Sequence, residues 1–63
     1  MKWYNLETIF KSLRDALRVY LKKNNIRYEL SAAGAYYHFE IYASPAQAAA
    51  INAFIDAQSI QAV

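Results

Sequence analysis

One stretch, residues 26–42, constrains the fold of this chain more than any other. Its sequence, IRYELSAAGAYYHFEIY, alternates apolar and polar side chains on either side of Gly34, the only glycine. Alternation with a period of two is typical of half-buried strands, and glycine adopts the positive φ that tight turns need. The stretch therefore predicts a β-hairpin, with one strand at about residues 26–31 and the other at about residues 36–42.

The alternation also predicts which strand residues share a face. A register that places Tyr28 opposite Phe39 and Glu29 opposite His38 keeps apolar side chains on one face. Sliding the strands by one residue would mix the two faces, so we favour the unshifted register. The outward face would then carry a polar and aromatic set: Arg27, Glu29, Tyr36, His38, Glu40 and Tyr42.

A helix is predicted before the hairpin, over about residues 3–23. Apolar side chains recur there at steps of three and four, which is the spacing of one helix face. The members of this stripe are Trp3, Leu6, Phe10, Leu13, Leu17 and Tyr20. Asn24 or Asn25 would take the left-handed turn that ends the helix.

A second helix is predicted after the hairpin, over about residues 45–58. Ser44 suits the N-cap, Pro45 the first turn and Gln47 the third position, which together form a capping box. Ile51, Phe54 and Ile55 would form the apolar face. Residues 59–63 are left with two alternatives, a frayed tail or a short extra strand.

These elements predict an α+β fold in one domain, residues 1–63. The order is α-β-β-α, with two antiparallel helices packed on one face of the hairpin and a short C-terminal strand as an addition. With 63 residues and no cysteine, the chain has a small core and no disulfide to support it. Self-association would compensate, and we expect a homodimer through the sheet edge, with the second strand as the less protected edge, or through the outer sheet face.

Catalytic chemistry has little support in the sequence. There is one histidine, no cysteine, no glycine-rich phosphate loop and no motif that places a serine beside His38. Glu29, His38 and Glu40 would share one face, but their spacing is not specific for a metal, and an exposed salt-bridged sheet is the favoured interpretation. We therefore expect no enzyme activity, no cofactor and no metal site.

The outward face of the hairpin is the favoured contact surface. Tyrosine and arginine on a face that no helix covers resemble the composition of protein interfaces. The predicted partner-binding residues are Tyr36, His38, Glu40, Tyr42 and Arg27. The expected function is a small non-catalytic protein-binding module that acts stoichiometrically, for example a phage or mobile-element inhibitor or adaptor of a host protein.

The alternative function is that of a nucleic-acid-binding accessory protein. Four cations on the first helix, Lys11, Arg14, Arg18 and Lys22, would form a basic stripe facing phosphates. A net charge of +2 is slight support for this alternative. No apolar run is long enough for a membrane helix and the start lacks a signal-peptide pattern, so a cytoplasmic location without membrane contact is expected.

Overall fold

The computed structural model describes the backbone of residues 1–61 and the side chains of residues 1–58. Its elements are β1 (Lys2–Thr8), α1 (Lys11–Lys23), β2 (Arg27–Ala33), β3 (Tyr36–Ala43) and α2 (Pro45–Gln61). The three strands form one antiparallel sheet in the order β1-β3-β2. The predicted α+β class is confirmed, whereas the element order is β-α-β-β-α.

The first strand replaces the start of the predicted first helix. The apolar side chains of Lys2–Thr8 fit the period of two of a strand as well as the three-and-four spacing of a helix. Tyr4 and Leu6 pack against the core while Asn5 and Glu7 are exposed. Pairing with β3 over all seven residues supplies the backbone hydrogen bonds that a helix would otherwise provide. The predicted start near residue 3 is therefore wrong, and α1 begins at Lys11 after an extended Phe10 (φ −94°, ψ 120°).

The hairpin is confirmed, but its register is not the predicted one. Tyr28 lies opposite Ile41 instead of Phe39, a slip of two residues that leaves every side chain on its predicted face. The turn contains Gly34 and Ala35, with φ +62° at Gly34 and no positive φ at Ala35, which is the pattern of a type II′ turn. This turn determines the register, and it places Glu29 opposite Glu40 instead of His38.

The second hairpin strand is the centre of the sheet. β3 pairs with β1 on one side and with β2 on the other, so the predicted dimer through an open edge of β3 is wrong. The predicted C-terminal strand is also wrong for Ser59–Gln61, which continue α2. Residues 62 and 63 lie outside the described part of the chain. Dimerisation itself stays a prediction.

The core lies between the sheet and the helices. Leu17 and Leu21 of α1 and Ile51 of α2 join Phe39 and Ile41 of β3 in one buried cluster. The two helices also touch each other, since the rings of Tyr20 and Phe54 stack with centroids 4.5 Å apart. The antiparallel course of the helices stays a prediction. The buried side chains of β3 thus share one face of the sheet with the cluster, and the side chains of the opposite face are more exposed.

The helix ends follow the predicted local chemistry. The Ser44 amide donates to Gln47 Oε1 at 2.9 Å, and the Gln47 amide donates to Ser44 Oγ at 3.1 Å, so the capping box is confirmed. At the end of α1, Asn25 adopts φ +55° and the Ile26 amide donates to the Leu21 carbonyl at 2.9 Å. This is the hydrogen bond of a Schellman motif, and it turns the chain directly into β2.

Candidate interaction surface on the outer sheet face

The sheet face turned away from the helices, here called the outer face, receives side chains from all three strands. The registers of β1 and β2 against β3 arrange these side chains in rows that run across the sheet. The rows are Trp3, Tyr42 and Arg27; Asn5, Glu40 and Glu29; Glu7, His38 and Ser31; and Tyr36 with Ala33. The surface is therefore wider than the two-stranded one that the hairpin predicted.

The first row, here called the aromatic row, is Trp3, Tyr42 and Arg27. The Trp3 and Tyr42 rings lie 5.1 Å apart between centroids, with 49° between their planes. Arg27 reaches across Tyr42 from the far strand, and its guanidinium carbon lies 5.9 Å from the centre of the Trp3 ring. Trp3 remains 45% exposed. Two aromatic rings and a cation thus form one packed but accessible cluster.

Trp3 is the residue of this surface that sequence reasoning missed. Its spacing to Leu6 fits the helix stripe that continues through Leu13 and Leu17, so the sequence pattern places Trp3 on a helix. The signal that identifies it is the alternation of Lys2–Thr8, in which Trp3, Asn5 and Glu7 are exposed. Arg27 and Tyr42 were both predicted, and the structure brings them together.

The second row places two carboxylates opposite each other. Glu29 of β2 and Glu40 of β3 are direct cross-strand neighbours, and both are exposed. Like charges in this position are destabilising. Among the described residues no lysine or arginine forms an ion pair with either carboxylate, and Arg27 lies over Trp3. The centre of the outer face therefore carries two facing carboxylates, of which Glu40 has His38 as its nearest basic group.

The third row brings Ser31, His38 and Glu7 side by side. His38 Nδ1 lies 3.3 Å from Glu7 Oε1, and His38 Nε2 lies 3.8 Å from Glu40 Oε1. Ser31 is the cross-strand neighbour of His38, which the sequence did not predict because the register was misplaced by two residues. The side-chain hydrogen bonds described for residues 1–58 include none between Ser31 and His38.

Tyr36 stands apart from the other predicted contact residues. It lies opposite Ala33 next to the turn, whereas Tyr42 is at the other end of β3, about 20 Å away along a strand rising 3.3 Å per residue. His38 and Glu40 occupy the middle. The five predicted residues therefore share a face but not one cluster, and only Arg27 and Tyr42 belong to the aromatic row.

The basic stripe of α1 is less uniform than its spacing predicted. Arg14 is 23% exposed, pairs with Asp15 at 2.9 Å and lies over the Tyr37 ring at 4.7 Å. Arg18 and Lys22 line a shallow depression of about 280 Å³ together with Asp15. Lys11, Arg18 and Lys22 are exposed. Arg14 thus packs against the fold, and Asp15 lies beside Arg18 and Lys22.

Among residues 1–61, no three histidine, aspartate or glutamate side chains come close enough together to hold a metal ion. Neither α1 nor α2, as far as Gln61, has the length and apolar character that crossing a membrane requires. No protein-family model, curated protein or solved structure matches the chain.

Proposed function

We propose that this chain is a small non-catalytic binding protein that acts stoichiometrically on a macromolecular partner through the outer face. The observation that carries the proposal is the aromatic row, in which Trp3 packs on Tyr42 with Arg27 beside it. Tryptophan, tyrosine and arginine are the side chains that most often dominate binding energy at protein interfaces. A packed, accessible cluster of all three supports a role as the anchor of the contact.

The charge of the outer face indicates the chemistry of the partner. Glu7, Glu29 and Glu40 make this face acidic, although the whole chain has a net charge of +2. A basic group on the partner would relieve the repulsion between Glu29 and Glu40, whereas phosphates would be repelled. The proposed partner is therefore a protein surface that combines basic and apolar side chains.

One broad open face supports action by covering or bridging the surface of a partner. This is how an inhibitor or adaptor of a host protein works, and a cytoplasmic protein encoded by a phage or mobile element is the setting we propose. His38, Glu40 and Tyr36 would extend the contact from the aromatic row toward the turn.

The alternative proposal is nucleic-acid binding through α1. The observation that favours it is that Arg18 and Lys22, one helical turn apart, line the same depression. Binding of this kind depends on phosphate contacts and therefore weakens steeply with salt. Asp15 in the same depression opposes it, which is why we rank it second.

The experiment that tests the proposal is capture of a partner with the tagged chain, followed by titration of the two purified proteins. Trp3→Ala and Arg27→Ala are each expected to weaken binding by at least about tenfold, because each removes an anchor side chain. Val19→Ala is the matched control, since Val19 is an exposed apolar residue on α1. Circular dichroism verifies that each variant is folded.

If binding is unchanged in Trp3→Ala and Arg27→Ala but is lost in Arg18→Ala and Lys22→Ala, the outer face is not the contact surface. A short DNA or RNA duplex whose affinity falls with salt in the wild type and is lost in the Arg18 and Lys22 variants would support the alternative.

A further inference from the structure

The outer edge of β1 has no strand beside it within residues 1–61. Pairing with β3 is continuous from Lys2 to Thr8, so no bulge twists this edge, and the strand contains no proline. Native proteins usually protect an edge with a bulge, a proline or charged side chains, because its free amide and carbonyl groups are a template for another strand. The charged side chains of β1 are Lys2 and Glu7, near its two ends, and the middle of the strand has none. This edge is therefore suited to strand addition.

Exposed apolar side chains flank β1 along the chain, and an apolar groove lies beside it. Met1, Ile9 and Phe10, which flank β1 at its two ends, are each more than half exposed. A groove of about 270 Å³ lies along the helix-facing side of β1, where Tyr4 and Leu6 face Ile51 and Ile55 of α2. A strand added to β1 would pair its backbone and cover part of this apolar surface in one step.

We propose that the strand added to β1 is the β1 of a second copy, antiparallel to the first, about a two-fold axis at Asn5. Asn5 then faces Asn5 of the second copy, Tyr4 faces Leu6, Trp3 faces Glu7 and Lys2 faces Thr8. Every pair joins side chains of the same sheet face, and no like charges oppose each other. The result is a six-stranded sheet with helices on one side.

Other self-pairings of the chain are less favourable. If the two-fold axis lay between two residues of β1, Asn5 of one copy would face Leu6 of the other. Outward side chains would then be paired with inward ones. An axis at Tyr4 or at Leu6 would leave part of Lys2–Thr8 without a partner. The edge of β2 ends in Ser31, Ala32 and Ala33, which are small and bury little area. The Asn5 register alone uses all of β1 and keeps the faces matched.

This inference goes beyond the proposed function, because the dimer forms without any other protein. It joins the outer faces of two copies into one surface, with the two Trp3 side chains on either side of the axis. It also supports a chain whose own core is small, since pairing removes apolar surface from water. The dimer can be present whether or not the aromatic row binds a partner.

Disulfide trapping tests the register directly, because the chain has no cysteine of its own. In antiparallel strands, facing Cα atoms are about 4.5 or 5.5 Å apart, and a disulfide spans about 4.4–6.8 Å. Asn5→Cys is expected to form a covalent dimer under mild oxidation at a protein concentration at which the wild type is dimeric. Ser31→Cys is the matched control, because Ser31 is exposed on the same face at the opposite edge.

Sedimentation of the uncrosslinked protein supplies the second readout. The wild type is expected to change from monomer to dimer with concentration, and Asn5→Lys is expected to weaken dimerisation by at least about tenfold, since two lysines would meet at the axis. Lys at this position lies opposite Glu40, so the monomer should stay folded. Ser31→Lys should leave the dimer unchanged.

Three results would overturn the proposal. The first is a wild type that remains monomeric at all concentrations, which would leave the β1 edge to a strand of another protein. The second is crosslinking of Ser31→Cys as fast as Asn5→Cys. The third is an Asn5→Lys variant that dimerises as strongly as the wild type.

Discussion

Glu29 and Glu40 face each other across β2 and β3 in the middle of the outer face. Among single residues, this pair is the clearest case of a contact that destabilises the fold, because its two like charges repel each other. Natural proteins tolerate such conflicts where a surface serves a function, and compensate elsewhere. The pair is therefore consistent with a surface shaped to meet a basic partner.

Replacing Glu29 with glutamine should stabilise the free protein. Removing one of two facing carboxylates is expected to raise the free energy of unfolding by about 0.5 kcal/mol at low salt. Urea denaturation at low and high salt measures this, and the gain should shrink at high salt because the repulsion is screened. Glu7→Gln is the control and should bring no gain, since Glu7 contacts His38. A Glu29→Gln protein that is less stable than the wild type would contradict the interpretation.

Single residues also show what the alternation of the hairpin could predict. Arg27, His38, Glu40 and Tyr42 were assigned to the correct face because a strand has a period of two. Their neighbours across the sheet were not, because a slip of two residues keeps every side chain on its face and leaves the pattern unchanged. Only the turn at Gly34 and Ala35 distinguishes the two registers.

Among the elements, residues 2–8 are the segment for which the sequence pattern predicts the start of a helix and the structure has a strand. A stretch of seven residues satisfies both a helical and a strand period, and its aromatic and β-branched side chains suit a strand. The choice depends on β3, which offers an edge far away in sequence. Long-range pairing of this kind is invisible to a local pattern, and it moved Trp3 from the predicted core stripe to the outer face.

The start of α2, in contrast, can be predicted from neighbouring residues alone, because its capping box lies within residues 44–47. Ser44→Ala is expected to lower the free energy of unfolding by about 1 kcal/mol, since the Gln47 amide loses its acceptor. Chemical denaturation measures the change. Ser12→Ala is the control, because Ser12 is an exposed residue in the first turn of α1. Equal stabilities for the Ser44 and Ser12 variants would show that the capping box does not contribute.

At the scale of the whole molecule, stability rests on a small set of buried side chains. Phe39, Leu17 and Leu21 are the largest that are fully buried, and they link α1 to the central strand. A chain of this length is expected to have a free energy of unfolding of about 3–9 kcal/mol. The loss of one core side chain therefore removes a large part of the total.

Leu17→Ala tests this dependence on the core. Truncating a fully buried leucine costs about 3–5 kcal/mol, so we expect a thermal midpoint far below that of the wild type or a largely unfolded chain. Val19→Ala on the exposed side of the same helix should change stability by less than about 0.5 kcal/mol. A Leu17→Ala protein that melts with the wild type would show that the core does not lie between α1 and β3.

The placement of β1 makes β3 central, adds Trp3 to the outer face and creates the edge proposed for dimerisation. NMR of the labelled protein measures it directly. We expect strand-type Cα and Cβ shifts for residues 2–8, and nuclear Overhauser contacts between the Trp3 indole and the Tyr42 ring, whose centroids lie 5.1 Å apart. Helical shifts that continue from residue 3 into α1, without those contacts, would contradict the sheet and the surface built on it.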